Sequence, residues 1–231
     1  MTDNKLPVLL SFNGGFVDTA GFLALQGLFT AHVTGNFVTL GATLVSGTSG
    51  AIAKLAALPV FCIAIVLATV CANRLNARGA NALRVMLFAQ AALLTSGAAL
   101  AVGIGPFPNS DALPALATGM TLVVAMAVQN ALHRLHLSDA PPTTLMTGTV
   151  TQIMISLGER IGSRAPGKPG KPGDDARLRR MMISVAAFAA GCGAAAGLYL
   201  AAGLWCLFLP PLLVMIGWAG ARRAAPEAAP H

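Results

Sequence analysis

Asp18, His32 and the tripeptide Thr34-Gly35-Asn36 interrupt an otherwise apolar stretch of the chain. Gln129-Asn130 and then Thr147-Gly148-Thr149 echo them in the second half. Asp18 is the only acid inside any of the long apolar segments. A carboxylate in lipid is costly, so its expected uses are proton coupling, cation binding or counter-charge. His32 titrates near neutral pH in water; packing or capping is the competing use of its ring. Thr and Asn start helices well because their side-chain oxygens accept the free N–H groups of the first turn. Thr34, Asn36, Thr147 and Thr149 are expected to do this at two helix N-termini. Each such terminus carries about half a positive charge, so two of them facing one another would favour an anion or the acidic end of a solute. The candidate substrate-binding set is therefore Asp18, His32, Thr34, Gly35, Asn36, Gln129, Asn130, Thr147, Gly148 and Thr149. An acid in one half and an amide pair in the other suit a polar solute or a proton-coupled step. A charged Asp18 would repel a purely anionic cargo.

Other chemistry lacks its residues. There is no HExxH, no carboxylate pair at helical spacing and no Ser-His-Asp logic, and the four His are scattered. No catalytic residue, metal or cofactor is expected, and the chain is not expected to be an enzyme. His133 and His136 flank Arg134 and read as interfacial. Cys62, Cys71, Cys192 and Cys206 lie in apolar runs without a CxxC spacing and read as small core hydrophobes.

The elements that must position these residues are membrane spans. Of 231 residues, 55% are hydrophobic and 10% charged, against about 25% charged in soluble domains. Residues 85–110, 112–133 and 181–221 contain no Asp, Glu, Lys or Arg. A bilayer core needs about 20 such residues, so the last window reads as two spans with a turn near Tyr199–Gly203. The first apolar run has no cleavage site and is expected to stay as a mature span. Apolar segments fall at 7–29, 35–48, 55–73, 85–104, 113–132, 144–158, 181–199 and 203–220. Segments 35–48 and 144–158 are shorter than the roughly 30 Å core.

Basic residues choose the topology. Arg74, Arg78 and Arg84 lie in one loop, Arg179 and Arg180 in another, and Arg222 and Arg223 in the tail. If every segment crossed, the first two clusters would face opposite sides. If the two short segments re-enter, all 15 Lys and Arg except Lys54 face the cytoplasm, as the positive-inside rule requires. The expected fold is therefore all-α integral membrane, with six transmembrane helices plus two re-entrant half-helices in an inverted 3+3 repeat. One membrane domain would fill residues 1–231. Repeat one would be 7–104, repeat two 113–220, and 159–180 a basic flexible cytoplasmic loop containing Lys168-Pro-Gly-Lys171-Pro-Gly. Both termini would be cytoplasmic. Irregular backbone within lipid must be buried in protein or line a wet cavity. The net charge of +7 then serves orientation, not nucleic acid. Gly191, Gly193 and Gly197, with their Ala neighbours, are expected to form a smooth helix face, and the GxxxG spacing of Gly193 and Gly197 to permit close helix contact within or between protomers; this packing alone invites a homo-oligomer. Pro210-Pro211 should kink the last span.

The motifs GGFVDTAGF (Gly14 to Phe22), TGN (Thr34–Asn36), QNA (Gln129–Ala131) and TGT (Thr147–Thr149) occur together. In this combination the chain resembles the YoaK family of bacterial multi-pass inner-membrane proteins. The resemblance covers most of the chain and implies the bacterial inner membrane as its location. It implies no activity, substrate or cofactor. His32 stands where the family's approach to TGN has Asn, so a role for it would be particular to this chain. The expected function is a small-solute transporter or channel, with the bilayer and an unidentified solute as partners. The alternative is a membrane subunit or scaffold without transport of its own.

Overall fold

The computed structural model describes residues 5–162 and 173–221, and these are helical with short connections. In chain order the helices are α1 (Lys5–Ala24), α2 (Gly35–Ser46), α3 (Ala51–Ala77), α4 (Ala82–Ile104), α5 (Leu113–His136), α6 (Met146–Gly162), α7 (Asp174–Ala202) and α8 (Leu209–Ala221). A 3₁₀ segment, Gly203–Phe208, joins the last two. Five helical stretches are long and apolar enough to cross a membrane: α1, α3, α4, α5 and the run Asp174–Ala221. Helices suit this composition because they satisfy their own backbone groups where lipid offers no partner.

Several expected boundaries move. The loop expected at 159–180 is partly helical, since α6 runs to Gly162 and α7 starts at Asp174. Lys168–Pro172 of the Pro-Gly stretch, and Arg222 and Arg223 of the tail, lie outside the described residues. Pro210 and Pro211 fall in the first turn of α8, where a missing N–H is harmless; they start that helix and do not kink its interior. His133, expected at an interface, is buried.

Contacts sort the helix ends into two groups. At the first end, Arg84 at the start of α4 lies 5.0 Å from the Trp218 ring of α8. There too, an ideal Cβ on Gly217 of α8 would stand 2.8 Å from Leu6 of α1. At the second end α1 stops, and Gln26 and Gly27 turn the chain with φ of 50° and 86°. Gln26 Nε2 donates to the carbonyls of Phe107 (3.1 Å) and Pro108 (2.6 Å) in the α4–α5 connection. Its Oε1 accepts from Ser49, just past α2. Thus α2 ends beside the point where α1 ended. Likewise Arg160 near the end of α6 pairs with Asp175 at the start of α7, and Arg177 and Arg180 of α7 share a cleft with Arg134 of α5. So α6 also returns to the end where α5 stopped.

Asp111 holds the second end together. Gly50, at the start of α3, has φ 99° and no capping side chain. Asp111 Oδ2 accepts from Gly50 N–H (2.8 Å), and Oδ1 from Ile52 (2.9 Å) and Ala53 (3.1 Å). Burial pushes this carboxyl up, but the N–H groups of Ala53, Gly50, Ile52 and Ala51 outweigh it and hold it below its ordinary value. A lowered carboxylate pKa favours the fold above the unfolded value of about 4, and the benefit is lost as pH falls through the folded value. Asp111→Ala should lower stability by about 1 kcal/mol at pH 7, as loss of a cap does. Thermal melts should show the gap from wild type closing below about pH 4; a gap that persists there would remove the charge as its cause.

Packing centres on α1, which lies most extensively against α7 and also meets α5 and α8. Helix α4 packs on α5 and α8, α3 on α5, α2 on α3, and α6 on α7. Within the chain, the expected GxxxG pair is not where α7 makes its close approach. Ideal Cβ atoms on Gly193 and Gly197 meet nothing within 4 Å. Gly191 instead faces the Phe12 main chain, and Gly15 faces that of Phe188.

Candidate functional site

Asp18, buried on α1, grips the connection that follows its own helix. Oδ1 accepts from the N–H of Thr30 and of Ala31, both at 2.8 Å. Oδ2 lies 2.6 Å from His32 Nδ1. Carboxylates accept main-chain N–H bonds strongly, so one side chain fixes the shape of residues 30–32. An ideal Cβ on Gly21, one turn further along α1, would meet the Thr30 side chain at 2.8 Å; the glycine lets that connection lie against the helix.

The second connection lies on the same face of α1. An ideal Cβ on Gly14 would stand 2.9 Å from the Thr143 carbonyl oxygen and 3.2 Å from the Thr144 methyl. Thr144 Oγ1 donates to Asn130 Oδ1 at 2.6 Å, and Gln129 Nε2 reaches Thr143 Oγ1 at 3.3 Å. A side chain of α5 therefore binds a connection 14 residues downstream, as Asp18 binds one 12 downstream. His32 joins the two halves. Its ring lies edge-on to Phe188 of α7, with centroids 5.5 Å apart, and also faces the Thr144 main chain.

Gln129 is the hub of a buried amide cluster. Its Nε2 donates to the Leu10 carbonyl at 2.8 Å, which fixes which way the amide points. Its Oε1 then accepts from Asn13 Nδ2 (2.8 Å) and Gln90 Nε2 (2.7 Å). Asn13 and Gln90 must turn their N–H₂ groups inward, and so Asn13 Oδ1 and Gln90 Oε1 accept nothing from the described residues. Both residues are 0% exposed. A buried acceptor left unmet costs about 1–3 kcal/mol, a penalty that protein interiors seldom carry without use.

The remaining expected site residues are placed differently. Thr34 is exposed and stands at the start of α2 without a side-chain capping bond. Asn36 is buried, but its amide clamps the Phe29 main chain, accepting from N–H and donating to C=O at 2.8 Å each. Gly35 makes room for the Phe29 ring, 3.1 Å from an ideal Cβ. Helix α6 starts at Met146, ahead of Thr147, so Thr147 and Thr149 are not its caps. Thr147 and Gly148 are exposed, and the buried Thr149 Oγ1 donates to the Leu145 carbonyl at 3.2 Å. The structure thus gathers Asp18, His32, Gln129 and Asn130 with Asn13, Gln90, Thr30, Thr143 and Thr144. Polar residues within apolar helices were the available signal for Asn13 and Gln90. Nothing local distinguished Thr30, Thr143 and Thr144 from loop residues.

Long apolar helices around a buried polar seam define a multi-pass, membrane-type helical protein. The chain belongs to the family described as "Protein of unknown function (DUF1275)", which matches residues 6–219. No curated protein and no solved structure matches it.

Proposed function

We propose that the protein moves a small polar solute across the bacterial inner membrane, through a site on the α1 face where the two connections meet. The observation that carries this is the return of both short helices. Helix α2 comes back to the end where α1 stopped, and α6 to the end where α5 stopped. Re-entrant helices of this kind bring irregular, hydrogen-bonding backbone into lipid depth, where transporters build solute sites. The packing supports two repeats, 7–104 and 113–220. Exchanging α1 with α5, α2 with α6, α3 with α7 and α4 with α8 turns α1–α7 into α5–α3, α2–α3 into α6–α7 and α4–α5 into α8–α1, all of which pack. With three crossings each, the second repeat is inverted and both termini are cytoplasmic. Asp18 and His32 supply one titratable half of the site; Asn13 Oδ1 and Gln90 Oε1 supply acceptors for a solute that donates hydrogen bonds. The motifs GGFVD, TGN, QNA and TGT support the finer placement among YoaK-like proteins.

Two measurements test this. After replacement of the four native cysteines, Lys5→Cys and Arg78→Cys should label from the cytoplasmic side and Thr48→Cys from the other. Thr48→Cys labelling from the same side as Lys5→Cys would mean that α2 crosses, and would remove the site. In proteoliposomes, a panel of small neutral and cationic polar solutes should include one whose uptake falls at least about tenfold in Gln129→Leu, the loss of a buried charge-free hydrogen-bond cluster being worth more than 1.4 kcal/mol. Absence of uptake for every solute would leave the scaffold reading in its place.

A further inference from the structure

A separate feature lies at the first end of the bundle. Arg134 of α5, Arg177 and Arg180 of α7 and the first turns of α6 enclose a cleft of about 510 Å³. Asp139 is the one acid among its lining residues, so three cations face a single anion. The ion pairs among the described residues are His32–Asp18 and Arg160–Asp175, and none of the three arginines takes part in them. Arg180 Nε is buried and has no partner among the described residues. Gly148 and Thr149, in the first turn of α6, form part of the wall, adding the positive end of a 17-residue helix to the same space.

We infer that this cleft binds a small anion bearing phosphate or carboxylate groups. Three cations facing one carboxylate leave the cleft with a positive excess, and guanidinium groups match the planar, paired oxygens of such anions. The volume falls within the range of small-metabolite sites. The anion has two sources, a free solute or a lipid headgroup. Beyond Arg180 a recess of about 30 Å³ between Pro7 and Val8 of α1 and Ile183 of α7 gives the cleft an apolar edge, against which the first methylenes of a lipid would rest. Basic pockets between helices on the cytoplasmic side suit anionic headgroups. The site is distinct from the Asp18 seam, and the inference does not depend on transport.

The test uses the full chain in neutral detergent at constant ionic strength. Pyrophosphate is titrated against chloride, and phosphatidylglycerol micelles against phosphatidylcholine, with melting temperature as the readout, since ligands that bind the folded state raise it. Either anionic probe should raise the melting temperature by a few degrees. In Arg134→Gln/Arg180→Gln the concentration for half the effect should rise about tenfold or more, as loss of charge-assisted hydrogen bonds demands. Gly148→Glu is the second variant. An ideal Cβ there meets nothing within 4 Å, and Glu suits a helix's first turn better than Gly, so the unliganded melting temperature should hold or rise while a carboxylate occupies the cleft, with the same weakening. A response to pyrophosphate identifies a free solute, and a response to phosphatidylglycerol alone identifies a lipid. No response to either, or responses unchanged in both variants, would overturn the inference.

Discussion

Asp18→Ala should destabilise the protein severely, while Asp18→Asn should leave it folded and stop any proton-linked transport. Alanine leaves the N–H groups of Thr30 and Ala31, now bound at 2.8 Å, buried without an acceptor. Each such orphan costs about 1–3 kcal/mol, and His32 loses its partner at 2.6 Å as well. The sum is a large share of the roughly 5–15 kcal/mol by which folded proteins persist. Asparagine keeps an acceptor oxygen for both N–H groups and presents its amide to His32, so shape survives and charge does not. Thermal melts and proteoliposome uptake separate the two effects. Equal melting temperatures for the alanine variant and wild type would show that the carboxylate does not hold the connection. Unchanged pH-dependent uptake in the asparagine variant would remove Asp18 from coupling.

Gly191→Ala is the second large effect expected. An ideal Cβ at that position would stand 2.1 Å from the Phe12 carbonyl oxygen and 3.1 Å from the Phe16 nitrogen. Both are main-chain atoms, so relief requires α1 and α7 to move apart. Gly15 repeats the arrangement from the other helix, 2.2 Å from the Phe188 carbonyl oxygen. Overpacking of this kind costs about 1–3 kcal/mol or more. Here the displaced helix also carries Phe188, which lies against His32. Gly193→Ala is the control. Its Cβ meets nothing within 4 Å, and alanine is the better helix former by about 1 kcal/mol, so stability should hold or rise. Melting temperatures of the two variants decide the matter; equal losses in both would mean that helix propensity, not the α1–α7 approach, is at stake.

These two positions show how far the sequence could be read. Asp18 stood out alone because an acid in an apolar segment is costly wherever the helix lies. Gly191 and Gly193 did not differ in the same way. Both sit in a run of small residues, and the GxxxG spacing favoured Gly193 with Gly197. Which glycine touches another helix depends on the rotation of α7 about its axis, and that rotation is set by its packing, most extensively against α1. Asn36 and Thr34 illustrate the same limit. Both looked like helix caps, yet Asn36 closes a loop onto Phe29 and Thr34 forms no capping bond.

Composition and charge alone determined that this is a chain of long apolar helices, that polar residues interrupt two of its segments, and that those two segments are shorter than the rest. These are consequences of lipid thickness and of the energy of charge, which act on each stretch of sequence by itself. Tertiary structure decided which polar groups meet. Gln129 points its amide as it does because the Leu10 carbonyl, 119 residues away, accepts from it; Asn13 and Gln90 must then turn their oxygens away from it. A hydrogen bond has a direction, and the direction of each amide in the cluster follows from partners that sequence spacing does not bring together.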